Sequence, residues 1–199
     1  MRKEEGSWLT SRLILDYGLD SPPRALLILA LSIKDREQKK KMDKLHVQKT
    51  IRYFEHLQQE KTIDFTNFKY GGVSYELYEN LETLQECGLV EKVGTKYVLT
   101  EEGDKAAREL VETHNKEEFR KLKFAKLQLN DLTHGETLFF MYMLIPETRK
   151  HSTEFARLYE KKDTLVPKLF LKGRINSTTA AKWLGVDEKT FLESLSTRD

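Results

Sequence analysis

Residues 73–105 constrain the fold more than any other part of the chain. Ser74, near their start, can cap a helix, because its side-chain oxygen accepts a hydrogen bond from an unpaired backbone N–H of the first turn. The leucines after it recur at spacings of three and four residues, which forms one apolar stripe on a helix. Gly88 follows, and glycine closes a helix most easily in the left-handed conformation. The pattern therefore predicts a helix that ends at Gly88.

Two short strand-like runs come next, at residues 89–93 and 96–99, joined through Gly94 and Thr95. A glycine in a short connection between alternating residues is a typical signal of a β-hairpin. Thr100 can then cap another helix, whose first turn is acidic, as the helix dipole favours. The order of helix, two-stranded hairpin and helix indicates half of a winged helix.

The same region resembles a known family. The residues LETLQECGLVEK…YVLTEEGDKAAREL resemble the end of the DNA-binding domain in many prokaryotic winged helix-turn-helix regulators. Among prokaryotes, we expect an archaeal protein. The shared features are the leucines, a Gly-Leu-Val exit, and Tyr97, Leu99, Thr100 and Gly103. The resemblance covers residues 22–112 and is specific to the fold rather than to a function.

A second segment is similar to Panacea-type antitoxin domains. In that group a Lys-Leu-x-x-x-hydrophobic helix precedes a Tyr-Gly-x-x-Ser segment, and Lys44-Leu45 and residues 70–74 match these motifs. Gly72 stands where proline is common in the group.

Composition indicates a globular chain with a strongly charged surface. Of its 199 residues 39% are hydrophobic and 33% charged, and its abundant lysine and glutamate are also typical of thermophiles. The single cysteine, Cys87, excludes an internal disulfide, and the first residues lack the apolar core of a signal peptide. The apolar run at residues 25–31 is far too short to span a bilayer. We therefore expect a cytoplasmic protein with no membrane partner.

Turn and cap signals divide the chain into four parts. Ser21-Pro22-Pro23 marks a boundary, because proline is accepted in the first helical turn and not later. The pattern from residue 101 to 129 fits one long helix or two helices joined near His114-Asn115, and a protruding helix often packs on a second copy. We predict a mainly α fold with a small β-hairpin wing. The parts are residues 1–21, an N-terminal arm or helix; 22–112, the winged helix-turn-helix domain; 113–130, a connecting or dimerisation helix; and 131–199, a C-terminal all-helical domain.

The C-terminal part opens with a strong helix signal. Thr133 and Glu136 have the spacing of a capping box, and the very apolar helix after them ends at Pro146. Its apolar residues point all round the helix, which favours burial at a domain or dimer junction. Residues 165–175 are interpreted as a connector with apolar anchors.

The end of the chain carries a second pattern, a helix-turn-helix-like unit at residues 177–196. Ala181, Gly185 and Phe191 stand where such a unit needs a small residue, a glycine in the turn and an apolar core residue. Asp187 suits the N-cap of its second helix. The unit can serve DNA binding or only packing.

Catalytic and metal-binding signals are scarce. The five histidines are scattered without metal-ligand spacing, and the single cysteine has no second thiol beside it. The Gly71-Gly72 pair lacks the other residues of a phosphate-binding loop. We therefore predict a binding protein without a cofactor or metal, and not an enzyme.

Candidate DNA-binding residues lie in the helix that ends at Gly88, which is the third helix of the predicted winged helix, on the wing and in a basic cluster. A helix-turn-helix protein inserts its recognition helix into the major groove, and a helix N-terminus favours phosphate. Residues 34–52 hold eight lysines or arginines against three acidic residues. The candidates are Ser74, Tyr75 and Tyr78 in the helix, Lys92, Thr95 and Lys96 in the wing, and Lys39, Lys40, Lys41 and Lys44 in the basic cluster.

The third helix also supports a different hypothesis. Residues 74–91 contain five glutamates and no lysine or arginine, whereas DNA affinity depends largely on cations that neutralise phosphates. Two hypotheses therefore stand. The first is a transcription regulator that binds double-stranded DNA as a homodimer. The second is a protein-interaction module, antitoxin-like or an assembly adaptor, whose acidic third helix binds a basic protein partner.

Overall fold

The computed structural model describes residues 15–36 and 40–196, which are mainly helical with a small antiparallel sheet of three strands. The expectation of a mainly helical chain with a β-hairpin is confirmed. Residues 1–14 of the predicted arm, and the candidate Lys39, lie outside the described residues. The strands are β1 (Met42–Asp43), β2 (Thr66–Phe68), β3 (Gly71–Val73), β4 (Val90–Val93) and β5 (Lys96–Leu99). The helices are α1 (Pro22–Ser32), α2 (Lys44–Gln58), α3 (Tyr75–Glu86), α4 (Glu101–Thr113), α5 (Lys116–Leu129), α6 (His134–Leu144), α7 (Glu154–Tyr159), α8 (Lys162–Leu171), α9 (Ser177–Leu184) and α10 (Glu188–Ser196), with a 3-10 turn at Pro146–Arg149.

The described residues form two compact units. The first runs up to Thr66 and continues as Gly72–Asp131, and the second consists of Asn67–Gly71 and the chain from Leu132 onward. None of the helices in 15–36 and 40–196 has both the length and the apolar character that crossing a bilayer requires.

The sheet of the first unit has the strand order β1-β5-β4, and both pairings are antiparallel. β4 and β5 form a hairpin in which Val93 lies opposite Lys96, and Gly94 between them has φ +63°. Glycine adopts a positive φ without steric cost, so Gly94 permits the tight turn. β1 pairs with the other edge of β5, where Met42 lies opposite Tyr97.

Helix α1 lies at the centre of the first unit and contacts α2, α3, α4 and α5. Eight of its eleven residues are buried, as expected for a helix that is apolar all round. Pro22 and Pro23 occupy its first turn, where a missing backbone N–H costs nothing. Its other end is closed by Lys126 of α5, which is fully buried and donates hydrogen bonds to the carbonyl oxygens of Ala30 and Ile33.

The chain from residue 101 to 129 forms two helices rather than one. The break comes at His114, and the side chain of Asn115 caps α5 by accepting from the backbone N–H groups of Glu117 and Glu118. Helix α5 then packs along α2. Residues 116–129, interpreted from sequence as part of a connecting helix, thus belong to the first unit.

In the second unit, α6 begins with the predicted capping box, which is confirmed: Thr133 accepts from the backbone of Glu136, and the Glu136 carboxylate accepts from the backbone of Thr133. Phe139 and Phe140 contact the indole of Trp183 edge-on, with ring centres 6.1 and 6.2 Å away. The aromatic face of α6 is therefore buried within this unit.

Residues 165–175 correct the sequence-based interpretation. They continue helix α8 as far as Leu171, although Pro167 lies inside that helix. Val166 and Leu169 are fully buried, so packing stabilises the helix despite the hydrogen bond that proline cannot donate. Gly185, with φ +81°, ends α9 before α10.

The tip of the β2-β3 hairpin is part of the second unit. The side-chain amide of Asn67 donates to the carbonyl oxygen of Glu147 at 3.0 Å. The hydroxyl of Ser152 donates to the carbonyl oxygen of Lys69 at 2.9 Å. These bonds connect two segments that lie about eighty positions apart in the chain.

Candidate nucleic-acid interface

Ser74 begins helix α3 but does not face solvent. Its hydroxyl accepts from the backbone N–H of Leu77 at 3.3 Å, and its own exposed fraction is 0%. The side chain of Gln48 holds its backbone N–H and carbonyl, each at 2.9 Å. A side chain without exposed surface cannot contact a ligand outside the protein. The direct phosphate contact expected for Ser74 is therefore corrected to a structural role, the capping of α3.

Tyr75 and Tyr78 lie one turn apart on the outer side of α3. Tyr75 is 60% exposed, and its ring meets that of Tyr78 edge-on at 6.4 Å between centres. The ammonium of Lys44, the first residue of α2, lies 3.7 Å from the centre of the Tyr78 ring. At this distance a cation is attracted by the ring's negative face. The two helices thus bring three of the candidate residues together.

The β4-β5 hairpin adds a second lysine and a third tyrosine to this group. Lys92 lies directly opposite Tyr97 in the strand register, and its ammonium is 5.9 Å from the centre of the Tyr97 ring. Burial raises the pKa of Tyr78, and the nearby phenols of Tyr97 and Tyr75 raise it further. We call Lys44, Tyr75, Tyr78, Lys92 and Tyr97 the tyrosine–lysine cluster.

Thr95 and Lys96 occupy a different part of the hairpin. Lys96 follows the strand on the face opposite Tyr97, because successive strand residues alternate between faces. Its cross-strand partners are Val93 on β4 and Asp43 on β1. Val93, Thr95 and Lys96 are all exposed, so they form the solvent-facing tip of the hairpin, beside the tyrosine–lysine cluster but not within it.

The described lysines at residues 40–49 of the basic cluster do not lie on one exposed surface. Lys40 makes an ion pair of 2.7 Å with Asp104, and Lys41 is half-exposed just before β1. Lys49 is only 3% exposed and donates to the carbonyl oxygen of Gly72 at 2.7 Å. Burial, and repulsion from Arg52 after it, lower the pKa of Lys49 to about 7. Among the described candidate lysines of this basic cluster, Lys44 is the one that contacts a tyrosine of the tyrosine–lysine cluster.

Negative charge lies on the same helix as the tyrosines. Glu76, Glu79, Glu82 and Glu86 of α3 are all exposed. Glu82 is close enough to Tyr97 to raise the pKa of its phenol, although burial is the larger cause. The outer side of α3 therefore offers phenol groups that can donate hydrogen bonds, flanked by lysines on one hand and glutamates on the other.

Tyr97 is the member of the cluster that sequence analysis did not propose for the site. The signal was present in the hairpin: a turn through Gly94 and Thr95 pairs position 92 with position 97. Residues directly opposite each other lie on one face of a sheet, so the candidate Lys92 could have indicated that Tyr97 lies beside it.

Comparisons with protein-family models, with curated proteins and with solved structures gave no match.

Proposed function

We propose that this protein is a winged-helix regulator of transcription that acts in the cytoplasm and binds double-stranded DNA as a homodimer. The observation that carries the proposal is the strand order β1-β5-β4, with α3 directly before an exposed β4-β5 hairpin. A winged helix has this element order, in which the third helix and the wing lie side by side. The order of α1, β1, α2 and α3 before the hairpin supports the same fold.

The exposed members of the tyrosine–lysine cluster, Lys44, Tyr75 and Lys92, would contact the DNA. Tyr97 is buried and would support Lys92 from beneath its ammonium. Lys44 and Lys92 would lie near phosphates, where each neutralised phosphate releases a counterion and adds affinity. Tyr75 is 60% exposed, and a tyrosine hydroxyl is a hydrogen-bond donor suited to a phosphate oxygen or a base edge. Thr95 and Lys96, at the tip of the β4-β5 hairpin, would contact the sugar-phosphate backbone of the DNA beside the groove.

The test is fluorescence anisotropy with a labelled random-sequence duplex over a series of salt concentrations. Non-specific binding at physiological salt is expected with a Kd of about 10⁻⁶–10⁻⁴ M, weakening steeply as salt rises. Replacing Lys44 or Lys92 by Gln should each reduce the salt slope by about one. Lys61→Gln is the matched control, because Lys61 is exposed and lies outside the cluster. Absence of binding even at low salt would reject the proposal.

A second candidate function follows from the charge of α3. Its four exposed glutamates favour a basic protein partner over a phosphate backbone, and proteins use charge complementarity to select partners. The variant Glu79→Lys/Glu82→Lys separates the two functions. If the protein binds DNA, the double variant should bind DNA equally well or more tightly. If the protein binds a basic protein partner, the double variant should lose that partner.

Analytical ultracentrifugation of the protein without substitutions tests the proposed homodimer.

A further inference from the structure

The first unit contains a cavity of about 390 Å³ that is separate from the tyrosine–lysine cluster. It lies between the start of α1, the end of α2 and the junction of α4 with α5. Buried apolar side chains form part of its lining, among them Leu19, Leu26, Phe54 and Leu110. Pockets of about 300–1,000 Å³ with an apolar lining and a few polar groups are the usual sites of small ligands.

Carboxylates dominate the charge of this cavity. Asp20, Glu60 and Glu118 line it, and His114 is the one lining side chain among the described residues that can carry positive charge. The ring Nε2 of His114 lies 3.2 Å from a carboxylate oxygen of Glu118. Asp20 and Glu60 form no hydrogen bond or ion pair within the described residues. Glu55, which also lines the cavity, is paired with Arg52 at 3.4 Å, and the ammonium of Lys121 donates to Gln58 of the lining at 2.7 Å. The excess of negative charge on the lining therefore comes from Asp20, Glu60 and Glu118.

A fourth carboxylate, that of Glu55, holds one wall in place. It accepts hydrogen bonds from the backbone N–H groups of Thr62 and Ile63, at 2.8 and 2.7 Å. These bonds fix the segment after α2, which carries Glu60, against the end of that helix. The cavity thus has a fixed wall.

We propose that this cavity binds a small organic cation: an amine whose apolar body contacts Leu26, Phe54 and Leu110 and whose ammonium lies at the carboxylates of Asp20, Glu60 and Glu118. An ammonium there forms charge-assisted hydrogen bonds that a neutral group cannot replace in strength. An anion of the same shape meets repulsion from every carboxylate on the lining. The site does not depend on whether the protein binds DNA.

The test is isothermal titration calorimetry of the full chain, without DNA, with benzylamine, 2-phenylethylamine and tryptamine. Phenylacetate carries the benzyl group of benzylamine on a negative carboxylate, and 2-phenylethanol carries the phenylethyl group of 2-phenylethylamine on a neutral hydroxyl. At least one of the three amines should bind, and phenylacetate should not. The affinity of 2-phenylethanol should be about tenfold lower than that of 2-phenylethylamine, because the alcohol loses one charge-assisted hydrogen bond. Failure of all three amines to bind at millimolar concentration, or equal binding of amine and alcohol, would overturn the proposal.

Variants locate the site. Glu60→Gln and Glu118→Gln should each weaken amine binding by about tenfold. Ala25→Leu should abolish it, because Ala25 lines the cavity and the larger side chain fills it. Glu112→Gln, on the exposed surface of α4 outside this cavity, is the control and should bind as the unmodified protein does. Circular dichroism checks that each variant is folded. Glu60 is exposed, so Glu60→Gln should fold and still tests the site if Ala25→Leu does not fold. Unchanged affinity in Glu60→Gln and Glu118→Gln would overturn the assignment.

Discussion

Lys126 on α5 donates a hydrogen bond of 2.5 Å to the carbonyl oxygen of Ile33, the C-cap residue directly after α1. A second bond, 2.8 Å long, goes from the same ammonium to Ala30. The last carbonyls of a helix have no partner inside the helix, and a buried carbonyl needs a donor from elsewhere. Helix α5 thus completes the end of α1, which places it in the core of the first unit.

Replacing Lys126 by Met should destabilise the protein. Two buried carbonyls lose their donor, and each unpaired group costs about 1–3 kcal/mol. Part of this cost is offset because Met needs no desolvation of a charge, so we expect a net loss of about 1–3 kcal/mol in the free energy of unfolding. Urea denaturation measures it. Lys123→Met, at an exposed position on the same helix, should change stability by less than about 0.5 kcal/mol. Equal stability of both variants would show that the cap contributes nothing.

Stability should rise with pH above neutrality. Burial lowers the pKa values of Lys49 and Lys126 to about 7, from 10.5 in an unfolded chain. Between about pH 7 and pH 10.5 these two lysines hold more protons in the unfolded state than in the folded state, so raising the pH favours folding. Urea midpoints measured from pH 7 to 9.5 should therefore increase. In Lys49→Met the increase should be smaller, and an unchanged slope would contradict the role of Lys49.

The trend should reverse at higher pH. Burial raises the pKa of Tyr53 to about 12, and it also raises the pKa of Tyr78 and Tyr97 from the ordinary 10.0. Above about pH 10 the unfolded phenols lose protons that the folded ones keep, so the free energy of unfolding falls. Tyr53→Phe should reduce this loss, and the same urea titration extended to pH 11 measures it.

Gly103→Ala should be strongly destabilising although Gly103 lies in a helix. A Cβ at this position would overlap the carbonyl oxygen of Leu89, which is backbone and cannot move aside easily. Overpacking of this kind costs about 1–3 kcal/mol. Gly135→Ala is a matched control in the first turn of α6, where the new Cβ would meet Leu158 at 3.6 Å, an ordinary contact. There the substitution should be neutral or stabilise by about 0.5–1 kcal/mol, as alanine does in helices. Thermal melting of both variants tests the contrast.

Trp183→Ala should destabilise the second unit by about 3–5 kcal/mol. The indole is packed edge-on against Phe139 and Phe140, and its removal leaves a cavity beside both rings. Hydrogen exchange should show lost protection in α6 and α9, with the first unit unaffected. Leu171→Ala, at a side chain that is 74% exposed, should leave exchange unchanged. Loss of protection spread evenly over the chain would contradict this localisation.

Helix starts were predictable from the sequence because caps are local. Ser74, Thr100 and Thr133 each accept a hydrogen bond from a residue three positions later, so the side chain and its partner lie within one readable segment. The turn at Gly94 was predictable for the same reason. Pro167 shows where local signals fail. Helix α8 continues through this proline because Val166 and Leu169 are buried, and the local sequence does not reveal that burial.

The direction in which a lysine points was not predictable. Lys44 and Lys49 stand five positions apart on α2, yet one lies against a tyrosine ring at the surface and the other is buried. Their charges looked equivalent in the sequence because burial depends on which elements pack on each face of the helix. The cavity of the first unit was not predictable for the same reason, since its lining comes from three separate segments, at residues 19–26, 54–62 and 110–118.

The contribution of residues 67–71 to the second unit means that no single peptide bond separates the two units. A protein cut after Asp131 would leave its C-terminal fragment without the strand tip that supplies the amide of Asn67 to Glu147 and the carbonyl of Lys69 to Ser152. Gene fragments that start at residue 132 would therefore encode an incomplete body. The second unit therefore combines a segment of polypeptide with residues that are synthesised about sixty positions later.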